Sequence, residues 1–214
     1  MRALNRRLFM TSAMIAATLF PAFARAAGPL PQPASTGGKT LLEALALRRS
    51  TRLYSENTVD EEMLSTLLWA AYGVNRPASG GRTAPSWRTS YGTDIYVADA
   101  NGVRRYDPAA HSMETVLGED IRTSASPQPF VVTAPVVLIY VADLARMNEA
   151  PREEQLPMAH VDAAMAAQNV YLYCASVGLG TCLVGGADKA GLTKLLNLPD
   201  TQIVTFVQPV GHPA

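Results

Sequence analysis

Arg48-Arg49-Ser50-Thr51-Arg52 places three guanidinium groups and two hydroxyls within five residues. Guanidinium groups make forked, charge-assisted hydrogen bonds to phosphate oxygens, and serine and threonine hydroxyls add neutral donors. Arg48, Arg49, Ser50 and Arg52 are therefore candidates for holding one phosphate group. Cations at a helix C-terminus also meet the last carbonyls and the helix dipole. Capping accounts for one or two arginines, and spacing alone leaves capping and phosphate binding open.

Two further stretches carry polar or conformationally permissive residues. Arg82-Thr83-Ala84-Pro85-Ser86-Trp87-Arg88-Thr89-Ser90-Tyr91 mixes cations, hydroxyl donors and aromatic faces, as a ligand wall would. Gly178-Leu179-Gly180-Thr181-Cys182-Leu183-Val184-Gly185-Gly186 lets the backbone approach a ligand closely. It is not a dinucleotide-binding fingerprint, because no strand precedes it and the glycine spacing differs. Taken singly it reads as a helix C-cap with Gly178 or Gly180 left-handed. His111, His160 and His212 are far apart, and no metal or hydrolase constellation forms around them. Cys174 and Cys182 read as buried free thiols rather than a disulfide or zinc site.

These residues need elements to position them. A helix is predicted over 40–49, with Leu41, Leu42, Leu45 and Ala46 on one face. Thr58 is the expected N-cap of a second helix, with Glu61 completing a capping box. Residues 75–92 read as a long irregular loop. A strand over 94–98 turns at Asn101-Gly102 into a returning VRRYD strand. The apolar run 135–142 reads as a strand buried on both faces. A long helix over 156–177 is expected to bury Val161, Met165 and Leu172. A helix over 188–196 and a last strand, QIVTFVQPVG, complete one α+β domain over 40–214.

The chain has 214 residues, 48% hydrophobic and 17% charged, enough for one well-buried core. Its first 26 residues differ: a basic start, an apolar run broken by Pro21, and Ala24-Arg25-Ala26 at a small-x-small site. This is the layout of an export signal rather than a membrane span. Asn5-Arg6-Arg7-Leu8-Phe9-Met10 resembles a twin-arginine signal, and no Cys follows to carry a lipid anchor. Residues 27–39 read as a flexible leader. Four of the 18 basic residues lie in the first 26, which leaves 14 against 18 acids, near −4. That balance speaks against nucleic acid. The expected location is the periplasm, with no stable membrane anchor.

The motifs in order resemble the nitroreductase family of flavin enzymes: R-R-S-x-R after a helix, a Pro-Ser loop, a late helix ending in G-L-G-T-C-x-x-G-G, and a closing Gly211-His212-Pro213. LWAAYGVNRP and APSWRTSYGTDIYVADANGVRRYDPAAHSM are similar to the branch holding the peptide-azoline dehydrogenases. The resemblance implies an α+β fold, with a mixed, mostly antiparallel central sheet flanked by helices, and a homodimer with FMN at the subunit interface. It implies that Arg48, Arg49, Ser50 and Arg52 hold the FMN phosphate and ribityl chain. Pro85, Ser86 and Trp87 of a second copy would border the ring. Leu183, Val184, Gly185 and Gly186 would lie at its reactive edge, where backbone N–H groups polarise N5. Thr89 and Tyr91 stand where many members carry Asn and Gln. The family often continues past the G-x-P turn with a basic residue, while this sequence ends at Ala214, so either the arginines do more of the phosphate binding or FMN is bound less tightly.

The implied activity is ping-pong electron transfer between donor and small organic acceptor (nitro, quinone or azoline-like). No side chain is nominated as acid or base, and Arg88 and Tyr91 are candidates for substrate contact. A flavin-binding protein without turnover and an exported hydrolase are the competing readings.

Overall fold

A computed structural model of the chain describes residues 28–147 and 150–214. The export signal expected in residues 1–26 lies outside them. The sheet strands are β1 (Gly28–Pro29), β4 (Thr93–Asp99), β5 (Gly102–Asp107), β6 (Ser112–Leu117), β7 (Val136–Asp143), β8 (Gly180–Thr181) and β9 (Gln202–Gly211), while β2 (Val74–Arg76) and β3 (Gly81–Arg82) form a separate hairpin. The seven strands run in the order β1-β6-β5-β4-β7-β9-β8. Every pairing between named strands is antiparallel. The parallel component expected of a mixed sheet is reduced, among the described residues, to an isolated bridge between Ser50 and Thr181.

The helices are α1 (Leu41–Leu47), α2 (Glu61–Tyr72), α3 (Arg122–Ala125), α4 (Pro129–Thr133), α5 (Arg152–Val177) and α6 (Lys189–Leu195). β7 is the axis of the core, because successive strand residues point to opposite faces. Val136, Leu138 and Tyr140 join the apolar cluster under α2 and α5. Val137, Ile139 and Val141 join the cluster under α3, α4 and α6. The continuous apolar run thus reflects helices on both faces of one strand. Each such side chain contributes about 1.5–3 kcal/mol on burial.

Several expected details differ. The N-cap of α2 is Asp60, not Thr58; its carboxylate accepts from the Met63 N–H at 2.7 Å. α5 begins four residues early, at Arg152, and runs through Pro157, its sixth residue, which removes one i→i−4 hydrogen bond. Its buried face is Ala159, Asp162, Ala163, Ala166, Ala167, Val170 and Cys174. Small residues let the helix lie close on the sheet, so Val161 and Met165 face outward, 41% and 46% exposed. The apolar face of α1 is likewise not buried: Leu41, Leu42 and Leu45 are exposed and Ala44 is the residue packed inward. Asn101-Gly102 makes the expected turn. Gly102 has φ +125°, and a Cβ there would stand 2.2 Å from the Leu117 carbonyl. β6, α3 and α4 were not expected. The start of the leader is seated on the body: β1 pairs with β6, and Leu30 is buried.

Candidate active site

The segment after α1 and the turn after α5 meet. Gly178 ends α5 in a left-handed conformation, φ +82°. The chain then passes Gly180, where a Cβ would come within 2.6 Å of the Thr51 methyl carbon, so glycine is needed for this approach. The Thr51 N–H donates to the Thr181 carbonyl at 2.9 Å, closing the bridge between Ser50 and Thr181. Tyr54 fixes the far side, its hydroxyl donating to the Thr51 carbonyl at 2.7 Å. Thr181 is tied to β9 through the Pro209 carbonyl at 2.8 Å.

This junction lines a cleft of about 560 Å³ whose walls include Lys39, Arg49, Ser50, Arg52, Tyr171 and Thr181. Ligand pockets commonly hold roughly 300–1,000 Å³. Arg49 and Arg52 are exposed and, among the described residues, meet no carboxylate. Arg49 Nε reaches only the Leu47 carbonyl, at 3.4 Å, and the Arg52 guanidinium lies 5.8 Å from the Phe130 ring centre. Arg48 stands apart. It caps α1 and its guanidinium sits over the Tyr171 ring, 5.2 Å from the centre. One arginine of the cluster therefore packs on an aromatic face, while two present free donors to the cleft, joined by Lys39. A phosphorylated ligand fits that donor set.

Tyr171 links this cleft to the glycine turn. Its hydroxyl accepts from the Leu183 N–H at 2.7 Å and stands 3.1 Å from Ser50 Oγ. The Val184 N–H is also occupied, donating to the Val207 carbonyl at 2.8 Å. The expectation that Leu183 and Val184 offer N–H groups to a ligand is therefore corrected. Gly185 and Gly186 are exposed, and among the described residues no protein acceptor meets their N–H groups. A Cβ at Gly185 would meet only the Phe206 ring edge at 4.0 Å, so the turn is open on that side.

Pro85, Ser86 and Trp87 do not line the cleft. They form a separate turn in which Ser86 points inward: its hydroxyl donates to Asp162 Oδ2 at 2.7 Å. Arg88 lies over the Trp87 ring at 4.3 Å and within 3.7 Å of Glu154, both side chains more than half exposed. Tyr91 stacks on the Arg82 guanidinium at 5.2 Å. His160 is half-buried; its Nδ1 donates to the Leu156 carbonyl at 2.8 Å, and Lys189 Nζ lies 3.4 Å from its Nε2. Both cysteines are buried and unpaired, and burial pushes the Cys174 thiol far up. No cluster of metal-ligating side chains forms among the described residues, and no helix there is long and apolar enough to cross a membrane.

Sequence reasoning missed Lys39, Tyr171 and Asp162. Asp162 carried a signal, as the sole charged residue between Met158 and Val177, set among alanines. Lys39 and Tyr171 carried none that spacing could read.

Known proteins resemble this chain in sequence and in fold. The nitroreductase family profile matches residues 45–212. A nitroreductase homologue of Methanocaldococcus jannaschii is 33% identical over 182 residues, 80% of this chain and 90% of its own length. The NADPH-dependent FMN reductase of Bacillus subtilis is 27% identical over 81% of this chain and 66% of its own. A crystal structure of a nitroreductase homologue from Ralstonia eutropha superposes with a TM-score of 0.84, at 39% identity, covering 88% of this chain and 90% of that one. The profile spans most of the chain, and relatives of a third or more identity cover four fifths of it or more; this protein belongs to the nitroreductase family and is a flavin oxidoreductase.

Proposed function

We propose that this protein binds FMN and passes electrons in two half-reactions between a donor and a small organic acceptor. The carrying observation is the cleft that joins the arginine segment to the glycine turn, with Arg49 and Arg52 unpaired on its wall. Arg49, Ser50, Arg52 and Lys39 hold the phosphate and its ribityl stem. Arg48 contributes indirectly, by packing on Tyr171 and fixing the hydroxyl that braces Leu183. Gly185 and Gly186 supply the free N–H groups at the ring edge. When bound, the flavin supplies the hydride and electron chemistry; the chain's own residues bind, orient and exclude water.

The exposed leucines of α1 and the outward Val161 and Met165 of α5 support a homodimer, in which Pro85, Ser86 and Trp87 of a second copy border the ring. The twin-arginine pattern in residues 5–10 supports export to the periplasm in folded, flavin-loaded form. The cytoplasmic NAD(P)H pool is then out of reach, and either a periplasmic reductant is the donor or the enzyme oxidises its substrate and passes the electrons onward. The similarity of residues 68–77 and 84–113 to the branch holding the azoline dehydrogenases supports nitro, quinone or azoline-like compounds as partners.

The test is direct. Purified protein is expected to show flavin absorbance and saturable FMN binding. After anaerobic reduction with dithionite, quinones or nitroaromatics should reoxidise it faster than oxygen does. A colourless protein that FMN does not saturate would sink the reading. Reoxidation no faster than with oxygen would leave a flavin binder without turnover.

A further inference from the structure

The turn after Pro85 is strained, and what holds it comes from α5. Arg88, Thr89 and Tyr91 have φ of +51°, +59° and +47°. Non-glycine residues rarely adopt such values, and each costs on the order of 1 kcal/mol or more. Three in four residues persist only where the surroundings over-determine them. Within the turn the Thr89 N–H donates to the Ser86 carbonyl and the Ser90 N–H to the Trp87 carbonyl, both at 3.0 Å, and one carboxylate ties the turn to α5. Asp162 is 3% exposed and, among the described residues, has no cation within reach. It accepts the Ser86 hydroxyl at 2.7 Å and the Trp87 N–H at 2.9 and 3.1 Å. With its proton committed to Asp162, Ser86 Oγ accepts the Tyr91 N–H at 3.0 Å and the Ser90 hydroxyl at 3.2 Å. Both ends of the turn thus hang from a single buried anion. Arg82 closes the side, its guanidinium between the Tyr72 and Tyr91 rings at 4.8 and 5.2 Å.

A buried carboxylate without a counter-charge is costly unless hydrogen bonds satisfy it. α5 has alanines above and below this position, which would pack on the sheet without that cost. We propose that Asp162 is a positioning residue: by gathering the N–H and O–H donors of residues 86–91 it fixes the left-handed turn, and so sets how Trp87, Arg88 and Tyr91 meet the bound flavin and its acceptor. The proposal rests on the flavin reading above. No covalent step is involved.

The experiment uses the full-length protein purified with its flavin. Asp162→Asn is isosteric, keeps one acceptor for the Trp87 N–H and removes the charge. Amide hydrogen exchange across residues 86–91 is measured with and without FMN. Exchange at Trp87 and Tyr91 is expected to quicken about tenfold or more, while α2 and β7 keep their protection. The visible spectrum of bound flavin should shift, and acceptor kcat/KM should fall about ten- to hundredfold. If Asp162→Asn does not fold, Ser86→Ala replaces it, with a smaller effect in the same direction. Unchanged exchange overturns the proposal. So does faster exchange with unaltered flavin spectrum and acceptor kinetics, and in both cases the flavin reading stands. A wild-type protein that takes up no flavin overturns the flavin reading and the turn's assigned role together.

Discussion

Beside the backbone bond from Thr51 to Thr181, one side-chain hydroxyl ties the two halves of the cleft together. Tyr171 accepts the Leu183 N–H and faces Ser50, so one side chain joins the helix, the arginine segment and the glycine turn. Tyr171→Phe keeps the ring under Arg48 but strands the Leu183 N–H. The expected cost is about 1 kcal/mol, near the low end for an unsatisfied group because the site is half-open to water. Thermal unfolding should fall by roughly 2–4 °C. An unchanged Tm would mean that water replaces the phenol. Arg52 makes a different contribution, because its partner is the ligand. Arg52→Ala removes charge-assisted bonds worth about 1.5–3 kcal/mol, so FMN affinity should drop about ten- to hundredfold. Riboflavin, which lacks the phosphate, should bind the two proteins alike. Full FMN affinity in the variant would contradict the phosphate assignment and return the arginine to a capping role.

Among the described elements, the opening segment is expected to be held in a pH-dependent way, through His111. His111, itself left-handed at φ +46°, sits between the segment and the sheet. Its Nε2 lies 3.0 Å from the Pro31 carbonyl and 2.8 Å from Ser65 Oγ; its Nδ1 lies 2.9 Å from the Tyr106 hydroxyl. Ser65 and Nε2 both turn to the Pro31 carbonyl, which leaves Nδ1 to accept from Tyr106. Burial lowers the His111 pKa, partly offset by the bond to Pro31. A depressed folded value means the unfolded chain takes up the proton first. The stability His111 contributes is thus complete above its unfolded pKa, near 6.5, and is lost as pH falls through the folded value. His111→Asn, which tolerates the left-handed backbone, should show a smaller drop in Tm between pH 7 and pH 5 than wild type; an equal drop would refute the assignment. The sequence itself predicts β7, β9 and the Asn101-Gly102 turn, because each is written in local periodicity or turn chemistry. It also marks the arginines and glycines of the cleft by type. It misleads where a face has two possible partners. Val161 and Met165 outrank alanines in hydrophobicity, yet close packing on the sheet selects the alanines. Distance in sequence hides the rest, since Asp162 and Ser86 are 76 residues apart and meet only once the fold exists.

At the scale of the whole molecule, the exposed apolar residues ask for a partner. Leu41, Leu42 and Leu45 are 62%, 78% and 49% exposed, and α1 packs beside α5, whose Val161 and Met165 also face out. A soluble protein seldom leaves such residues grouped unless a surface covers them. A second copy would cover them and would bring its own Pro85–Trp87 turn toward this cleft. Leu42→Glu with Met165→Glu tests both halves of that arrangement. Neither side chain takes part in the core, so each change should alter monomer stability by no more than about 0.5 kcal/mol. Burying two carboxylates in a dimer interface, by contrast, is prohibitive. Sedimentation should therefore find a folded monomer, recognised by native far-ultraviolet dichroism, where wild type is expected to sediment as a dimer. That monomer keeps Arg49, Ser50, Arg52 and Lys39 and should still hold the phosphate, but its ring has lost one wall. FMN affinity should fall by about tenfold or more, and the remaining flavin should fluoresce more brightly once Trp87 of the second copy no longer lies against it. A double variant that remains dimeric would place the interface elsewhere. A folded monomer with undiminished FMN affinity would show instead that the cleft is complete within one chain.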